Sequence, residues 1–372
     1  MIKVREVIES MESWAPQSLA ETWDNSGLLT GSPEDSIHAV LIALDVTEDV
    51  IRTAQNFHAS MIVSHHPPIF KPIRSLSGDS LSSRVIREAI LGNIALYSSH
   101  TPLDQVLKGV SHALAEKLGL ISISFLTEGN SEMVKFVTFA PPDYIDRIRK
   151  AAGTAGAGII GNYSLCSFSS QGTGTYIPSS TAKPYSGTSG ELSQGVEDRI
   201  EMIVPATNVI HVVETVRKVH PYEEMAYDLI PLKNRDIYHG YGAIGDLPEP
   251  MESKQFAAHV SNSLDSASLT LSNDNNKMIK RVAVMGGSGG KYIDSAINLG
   301  ADAFVTGDLG HHDFVNYSGL ITLIDATHYA TEFPVLQKIS DYLTKEFNGK
   351  AKVFIYSSNV LPLKHLWNHS TA

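Results

Sequence analysis

The sequence predicts an α/β protein built from two related α/β halves, residues 1–130 and 236–372, interrupted by a ferredoxin-like βαββαβ segment at residues 131–235. Three observations predict this. Shifting residues 40–64 by 242 positions lays them on 282–306 without a gap, and Val40, Ile51, Ala54, Asn56, Ala59 and Val63 then match Val282, Ile293, Ala296, Asn298, Ala301 and Val305. Each copy reads as an apolar strand, a polar or Gly-rich turn, a helix and a second apolar strand. The middle segment has its own rhythm, described below, which matches the split βαββαβ order.

In the first half, the second strand ends in Ser64-His65-His66. A third strand, Ile94-Ala95-Leu96-Tyr97, leads to Ser99-His100-Thr101-Pro102-Leu103-Asp104. In the second half the corresponding strand ends in Thr306-Gly307-Asp308, with His311-His312-Asp313 close behind. Its third strand, Ile321-Thr322-Leu323-Ile324, leads to Thr327-His328 and Glu332. Strands alternating with helices imply a largely parallel sheet. Such sheets place ligands beyond the carboxyl ends of their strands, where all these polar clusters fall.

The middle segment predicts a strand over Met133–Phe139, a helix over Asp143–Ala152, and strands over Ile159–Phe168 and Asp198–Val204. A helix over Val209–Val219 and a strand over Ala226–Pro231 complete it. Residues 169–195, rich in Ser, Gly and Thr, read as a mobile hairpin loop rather than a phosphate cradle. They lack the Gly-Lys-Ser/Thr ending of a P-loop.

The bulk numbers bound the class. A chain of 372 residues can hold two or three domains. Hydrophobic residues at 42% and charged residues at 19% are ordinary for a soluble globular protein. The formal charge of −11 argues against a broad nucleic-acid or anionic-membrane surface. One cysteine, Cys166, excludes an intramolecular disulfide and a Cys-rich zinc site, and fits a reducing compartment. The N-terminus shows no apolar signal segment, and no window approaches a membrane span, so the expected location is the cytoplasm.

The chemistry-bearing residues are His65, His66, Asp104, His328 and Glu332. His328 and Glu332 are four apart and share a helix face. A strand ending before Pro67-Pro68 can splay its two imidazoles. Three imidazoles and two carboxylates suit two divalent ions roughly 3.5–4 Å apart. Imidazole without thiolate favours zinc, iron, manganese, nickel or cobalt over copper(I), with no choice among them.

Four motifs occur in order: Trp23-Asp24-Asn25-Ser26-Gly27-Leu28, Ser64-His65-His66-Pro67-Pro68-Ile69-Phe70, His100-Thr101-Pro102-Leu103-Asp104 and His328-Tyr329-Ala330-Thr331-Glu332. Together they resemble the Nif-three-like family over essentially the full chain. Bacterial members of that family are named GTP cyclohydrolase 1 type 2 homologues. The middle segment, with His220-Pro221-Tyr222-Glu223-Glu224-Met225-Ala226-Tyr227-Asp228, is similar to the PII/CutA-like insert of the longer members. The resemblance implies a dinuclear site in which His66 and Asp104 hold one ion, His65 and His328 the other, and Glu332 bridges. It also implies a toroidal homohexamer, a trimer of dimers. Thr327 departs from the glycine common at that position, and a β-branched residue disfavours φ > 0, so a different local turn is expected there.

Further candidates surround this set. His100 and His312 are candidate substrate-contacting or supporting groups, and Asp45 and Asp308 candidate orienters of ligands or water. Gly286-Gly287-Ser288-Gly289-Gly290 reads either as a phosphate-holding turn or as a tight strand–helix turn. His220 with Glu223-Glu224 reads as a structural turn before a metal site. The expected function is a metal-dependent hydrolase acting on a small molecule, GTP or another purine nucleotide. The alternative is a metal-handling or regulatory binding protein without turnover. A DNA-binding role is the reading that the acidic balance disfavours.

Overall fold

The computed structural model describes residues 1–78, 80–128, 132–161, 163–235, 238–266, 268–272 and 277–357. They form two compact units. One is built from the residues up to Glu128 and from Tyr238 onward; the other lies between them in sequence.

The first unit contains two large sheets. The five-stranded sheet runs Lys352–Ile355, Ala39–Ala43, Met61–Ser64, Ala95–Ser98, Gly27–Thr30. Its first three pairings are parallel and the last is antiparallel. The three inner strands are buried along their whole length, as a sheet covered on both faces requires. Alternation divides them between two cores. Val40, Ile42, Met61 and Val63 pack with the helices Val4–Trp14 and Pro334–Phe347. Leu41, Ile62 and Leu96 pack with the helices Glu48–Asn56 and Leu81–Leu91. The first of these latter helices starts at Thr47, whose hydroxyl accepts from Val50 N at 3.3 Å, with Glu48 and Asp49 in the first turn.

The six-stranded sheet runs Thr270–Leu271, Thr322–Asp325, Ala303–Gly307, Met278–Ser288, Ala243–Glu252, Ile121–Phe125. Here only Met278–Ser288, Ala303–Gly307 and Thr322–Asp325 are mutually parallel. The other pairings are antiparallel, so a largely parallel sheet describes the first sheet and not the second. Each sheet also borrows a strand from across the chain. Lys352–Ile355 extends the N-terminal sheet, and Ile121–Phe125 edges the C-terminal one. Periodicity cannot show this, because an edge strand reads the same whichever sheet it joins. Among the described residues, no helix is long and apolar enough to cross a membrane.

The second unit has the chain order Glu132–Ala140, Ile145–Thr154, Phe168–Tyr176, Ser193–Pro205, Val209–Arg217, Tyr227–Arg235, strand and helix alternating as β-α-β-β-α-β. Its sheet is ordered Tyr227–Arg235, Glu132–Ala140, Ser193–Pro205, Phe168–Tyr176, antiparallel throughout. The strand expected over Ile159–Phe168 lies instead at Phe168–Tyr176. Gly161 and Leu165 have φ of 56° and 58° and turn the chain where a strand was expected. Of the stretch expected to be a mobile loop, residues 169–176 form one arm of a hairpin and 193–195 begin the other, with Gly172 opposite Glu197 and Gly174 opposite Gly195, while 177–192 form the connection between the arms. Gly disfavours strands, and pairing to a central strand overrides it here. His220 is a structural residue of this unit. Its Nε2 lies 3.1 Å from the Phe139 carbonyl, and its Nδ1 accepts from Tyr222 N at 3.2 Å.

Phe304, fully buried on the Ala303–Gly307 strand, packs in the cluster containing Met285, Ile293 and Leu323. Phe304→Ala is expected to cost about 3–5 kcal/mol of stability, read by denaturant unfolding. A loss below about 1 kcal/mol would show that this cluster does not hold the C-terminal sheet.

Candidate metal centre

The site is assembled at carboxyl ends of the parallel strands. His65 and His66 directly follow Met61–Ser64, with His65 N donating to Ala43 O and His66 N to Leu44 O. Those two backbone bonds extend the strand ladder just far enough to hold both imidazoles in place. Asp104 is the last residue of a one-turn helix, Thr101–Asp104, that follows Ala95–Ser98. His328 and Glu332 begin and end the short helix His328–Glu332 after Thr322–Asp325.

Glu332 stands at the middle. Its Oε1 lies 3.0 Å from His328 Nε2 and 3.7 Å from His65 Nε2, and its Oε2 lies 3.2 Å from His66 Nε2. Asp104 Oδ1 is 3.7 Å from His65 Nε2. The outer nitrogens are engaged separately. His65 Nδ1 lies 3.0 Å from the Ser99 carbonyl, His66 Nδ1 3.0 Å from Asp45 Oδ1, and His328 Nδ1 2.6 Å from Asp308 Oδ2. With each Nδ1 committed outward, each Nε2 is aimed at the centre, the arrangement that orients metal-ligating histidines.

Electrostatics agree with the geometry. Burial pushes Glu332 up, but the His328, His65 and His66 imidazoles outweigh it and hold its carboxyl well below the usual range. Burial pulls His66 down, yet Asp45 and Glu332 hold it up to about 10. The Glu332 carboxylate pushes His328 up to about 9. Burial raises Asp104 to about 7. Crowded carboxylates thus call for positive charge, which protons or a cation can supply.

Two observations test whether a metal ion fits. His65 Nε2 and Glu332 Oε2 are buried and have no hydrogen-bond partner among the described residues, although such atoms are normally satisfied. The backbone also makes room. A Cβ on Gly287 would fall 2.4 Å from Glu332 Oε1, and Gly287 has φ of 67°. Within the glycine run, Gly287 lets the backbone approach Glu332 closely. Ligand atoms of His66, His328 and Glu332, and separately of His65, His66 and His100, lie within 4.8 Å of one another. These residues can hold a metal ion.

Other sequence candidates fall variously. His100 lies beside the centre, its ring 5.3 Å from His65 and 5.5 Å from His66. His312 is exposed on the helix His311–Asn316, and its ring contact is with His311. Sequence reasoning gave no role to Asp24. Its side chain is fully buried and accepts from Thr101 N, Thr101 Oγ1 and Ser26 Oγ, while His100 Nδ1 lies 2.8 Å from its Oδ1. Burial pushes Asp24 up, and these hydrogen bonds overcome it to hold it well below the ordinary value. Ser288, missed as well, donates to Asp308 Oδ2 and so braces the group behind His328. The sequence singles out the glycine run that holds this serine but not the contact it makes with Asp308.

Thr327 corrects an expectation. It adopts φ 73°, ψ 150°, a region normally left to glycine, so the β-branched residue does not keep φ negative here. Thr327 N donates to Asp325 Oδ1 at 2.8 Å, and Thr327 Oγ1 accepts from Ala330 N at 3.4 Å. These contacts hold the threonine in a strained conformation that brings His328 in. A Cβ at Gly307 would sit 2.5 Å from His328 N, so the strand end lies directly beneath this turn.

An α/β scaffold with imidazoles and carboxylates converging at strand ends defines the class: a protein whose core site can hold divalent metal. A family model described as Duf34/NIF3 (NGG1p interacting factor 3) matches residues 2–362, and the chain belongs to that family. It is similar to a Halalkalibacterium halodurans protein named GTP cyclohydrolase 1 type 2 homolog, 42% identical over 82% of each chain. A Bacillus subtilis protein of the same name is 36% identical over 97% of this chain and 98% of its own. Among solved structures, a Bacillus cereus protein related to NIF3 superposes with a TM-score of 0.84 at 37% identity, covering 98% of this chain and 99% of that one.

Two predictions follow from this geometry. Gly287→Ala is expected to weaken divalent-metal binding by about 10-fold or more while the fold persists. Calorimetric titration with zinc or manganese checks it, and unchanged affinity would remove Gly287 from the site. At the turn, Thr327→Gly trades strain of about 1–3 kcal/mol against a few tenths of capping energy and the greater freedom of glycine when unfolded. Thr327→Ala keeps the strain and loses the cap. Glycine is therefore expected to melt at or above the wild type and alanine below it. Alanine melting as high as glycine would contradict the strain.

Proposed function

We propose that this chain binds two divalent ions through His65, His66, Asp104, His328 and Glu332 and hydrolyses a purine nucleotide such as GTP. The observation that carries the reading is the split engagement of Glu332. One oxygen faces His328 and His65, the other faces His66, and two of these buried atoms, His65 Nε2 and Glu332 Oε2, make no well-formed hydrogen bond among the described residues. That pattern suits a carboxylate bridging two ions. Ions held there would supply Lewis acidity and activate water near neutral pH. The relatives' shared name, GTP cyclohydrolase 1 type 2 homolog, supports the substrate class. The reaction consumes two waters: the first opens the purine imidazole ring by breaking one C8–N bond and leaves C8 as a formamide, and the second hydrolyses that formamide to formate and an amine.

In this reading the protein's own groups do defined work. Asp45 and Asp308 hold the His66 and His328 rings with Nε2 inward. Asp24 holds His100 by Nδ1, leaving Nε2 of that ring for the substrate side. The same reading extends to architecture. The two parallel strand trios are the two copies of one ancestral unit. The strand order of the inserted unit is that of a ferredoxin-like, PII/CutA-like fold, and the protein assembles as a toroidal homohexamer acting in the cytoplasm. A metal-handling protein without turnover is the competing function that the same residues would serve.

Glu332→Gln and His66→Ala are each expected to drop bound metal below two ions per chain with circular dichroism unchanged. Full two-metal occupancy in both, by elemental analysis, would refute the ligand set. Metal-loaded wild type is expected to release formate from GTP. Zero formate with zinc, manganese, iron, nickel and cobalt alike would sink the hydrolase and favour the metal-handling alternative.

A further inference from the structure

Beside the metal centre, the chain leaves two large aromatic side chains in solvent. Trp23 is 60% exposed and Phe70 is 50% exposed. Both meet His100 edge-on: Trp23 at 5.8 Å and 74°, Phe70 at 5.5 Å and 87° between rings. The loops carrying them are tied together, since Asn25 Nδ2 donates to the Ile69 carbonyl at 2.7 Å. Exposing a tryptophan and a phenylalanine together on a braced rim loses hydrophobic stabilisation unless something covers them.

Phe70 also forms one wall of a cavity of about 440 Å³, which Lys71, Arg74, Ser80, Ser82 and Ser83 continue. That volume is within the range that accepts a small organic ligand. The cavity wall is braced: Ser83 Oγ donates to Ser75 O at 3.1 Å and Arg87 Nη1 to Leu76 O at 2.9 Å. Lys71 and Arg74 have no ion-pair partner among the described residues. In a chain of net charge −11, two cations in one cavity with no ion pair among the described residues form a local site for an anion.

We propose that this cleft is the substrate-recognition subsite of the centre, and that it takes a planar heteroaromatic ring carrying a phosphate chain. The ring lies against Trp23 and Phe70, next to His100. The phosphates enter the Lys71/Arg74 cavity. The aromatic faces accept a flat ring of any sequence of heteroatoms, and the cations select its charged arm. This deepens the hydrolase reading and rests on it for the ring to be a purine.

The test uses calorimetric binding of GTP, guanosine and inorganic triphosphate to the metal-loaded full chain. Wild type is expected to bind GTP more tightly than guanosine, with triphosphate competing against GTP. The double variant Lys71→Met/Arg74→Met is expected to lose about 10-fold or more in GTP affinity, with guanosine unchanged. Trp23→Ala and Phe70→Ala are each expected to weaken binding of both GTP and guanosine by about 10-fold. The charge-preserving pair Lys71→Arg/Arg74→Lys should retain most of the GTP affinity, which separates charge from folding. No binding of GTP by wild type, or equal GTP affinity in the double variant, overturns the cleft. Tight GTP binding with zero formate would sink the hydrolase and keep the cleft. Formate release with an unchanged KM in the double variant would do the reverse.

Discussion

A carboxylate buried at the meeting of two strand systems is the constraint to which the rest of this site answers. Glu332 is 4% exposed and sits among three imidazoles. Burying an ionised carboxylate costs several kcal/mol unless opposite charge stands close. The histidines meet that need only if each points its Nε2 inward. Ser99, Asp45 and Asp308 ensure this by occupying the opposite nitrogens. The same arrangement suits metal binding, because it leaves donor atoms convergent and partly unsatisfied.

The backbone pays for this convergence at one point. His328 must leave the Thr322–Asp325 strand, turn sharply and start a helix that returns Glu332 to the centre. Thr327 takes a conformation that glycine would adopt with less strain, and its hydroxyl caps the helix in compensation. Gly287 and Gly307 contribute by having no side chain where the Glu332 carboxylate and the His328 backbone pass. Fold and site are therefore coupled at the level of single atoms, because a methyl group at either glycine would occupy space the ligands need.

Much of this was legible in the residues. The i, i+4 spacing of His328 and Glu332 predicts a shared helix face, and both lie on one short helix. The strand-end positions of His65, His66 and His100 follow from apolar runs that stop at polar clusters. The inserted segment shows its chain order of strands and helices through periodicity, except where Gly161 and Leu165 turn the chain and shift a strand to Phe168–Tyr176. The strand arm in the Ser/Gly/Thr stretch, residues 169–176, was illegible for a different reason. Its strand state comes from pairing with Ser193–Pro205, a partner that composition does not reveal.

What the sequence by itself determined is the inventory and its local placement: which side chains can ligate, at which strand ends, and on which helix face. Local periodicity carries that information, because each strand or short helix exposes it within a few residues. What only the tertiary structure decided is which of those groups converge and how they are aimed. It brought Asp24 to His100, put Ser288 behind Asp308, left His312 on an exposed helix, and opened a cationic cavity beside Phe70. Those outcomes depend on contacts between residues far apart in the chain, and on space that only a packed neighbour can close or leave open.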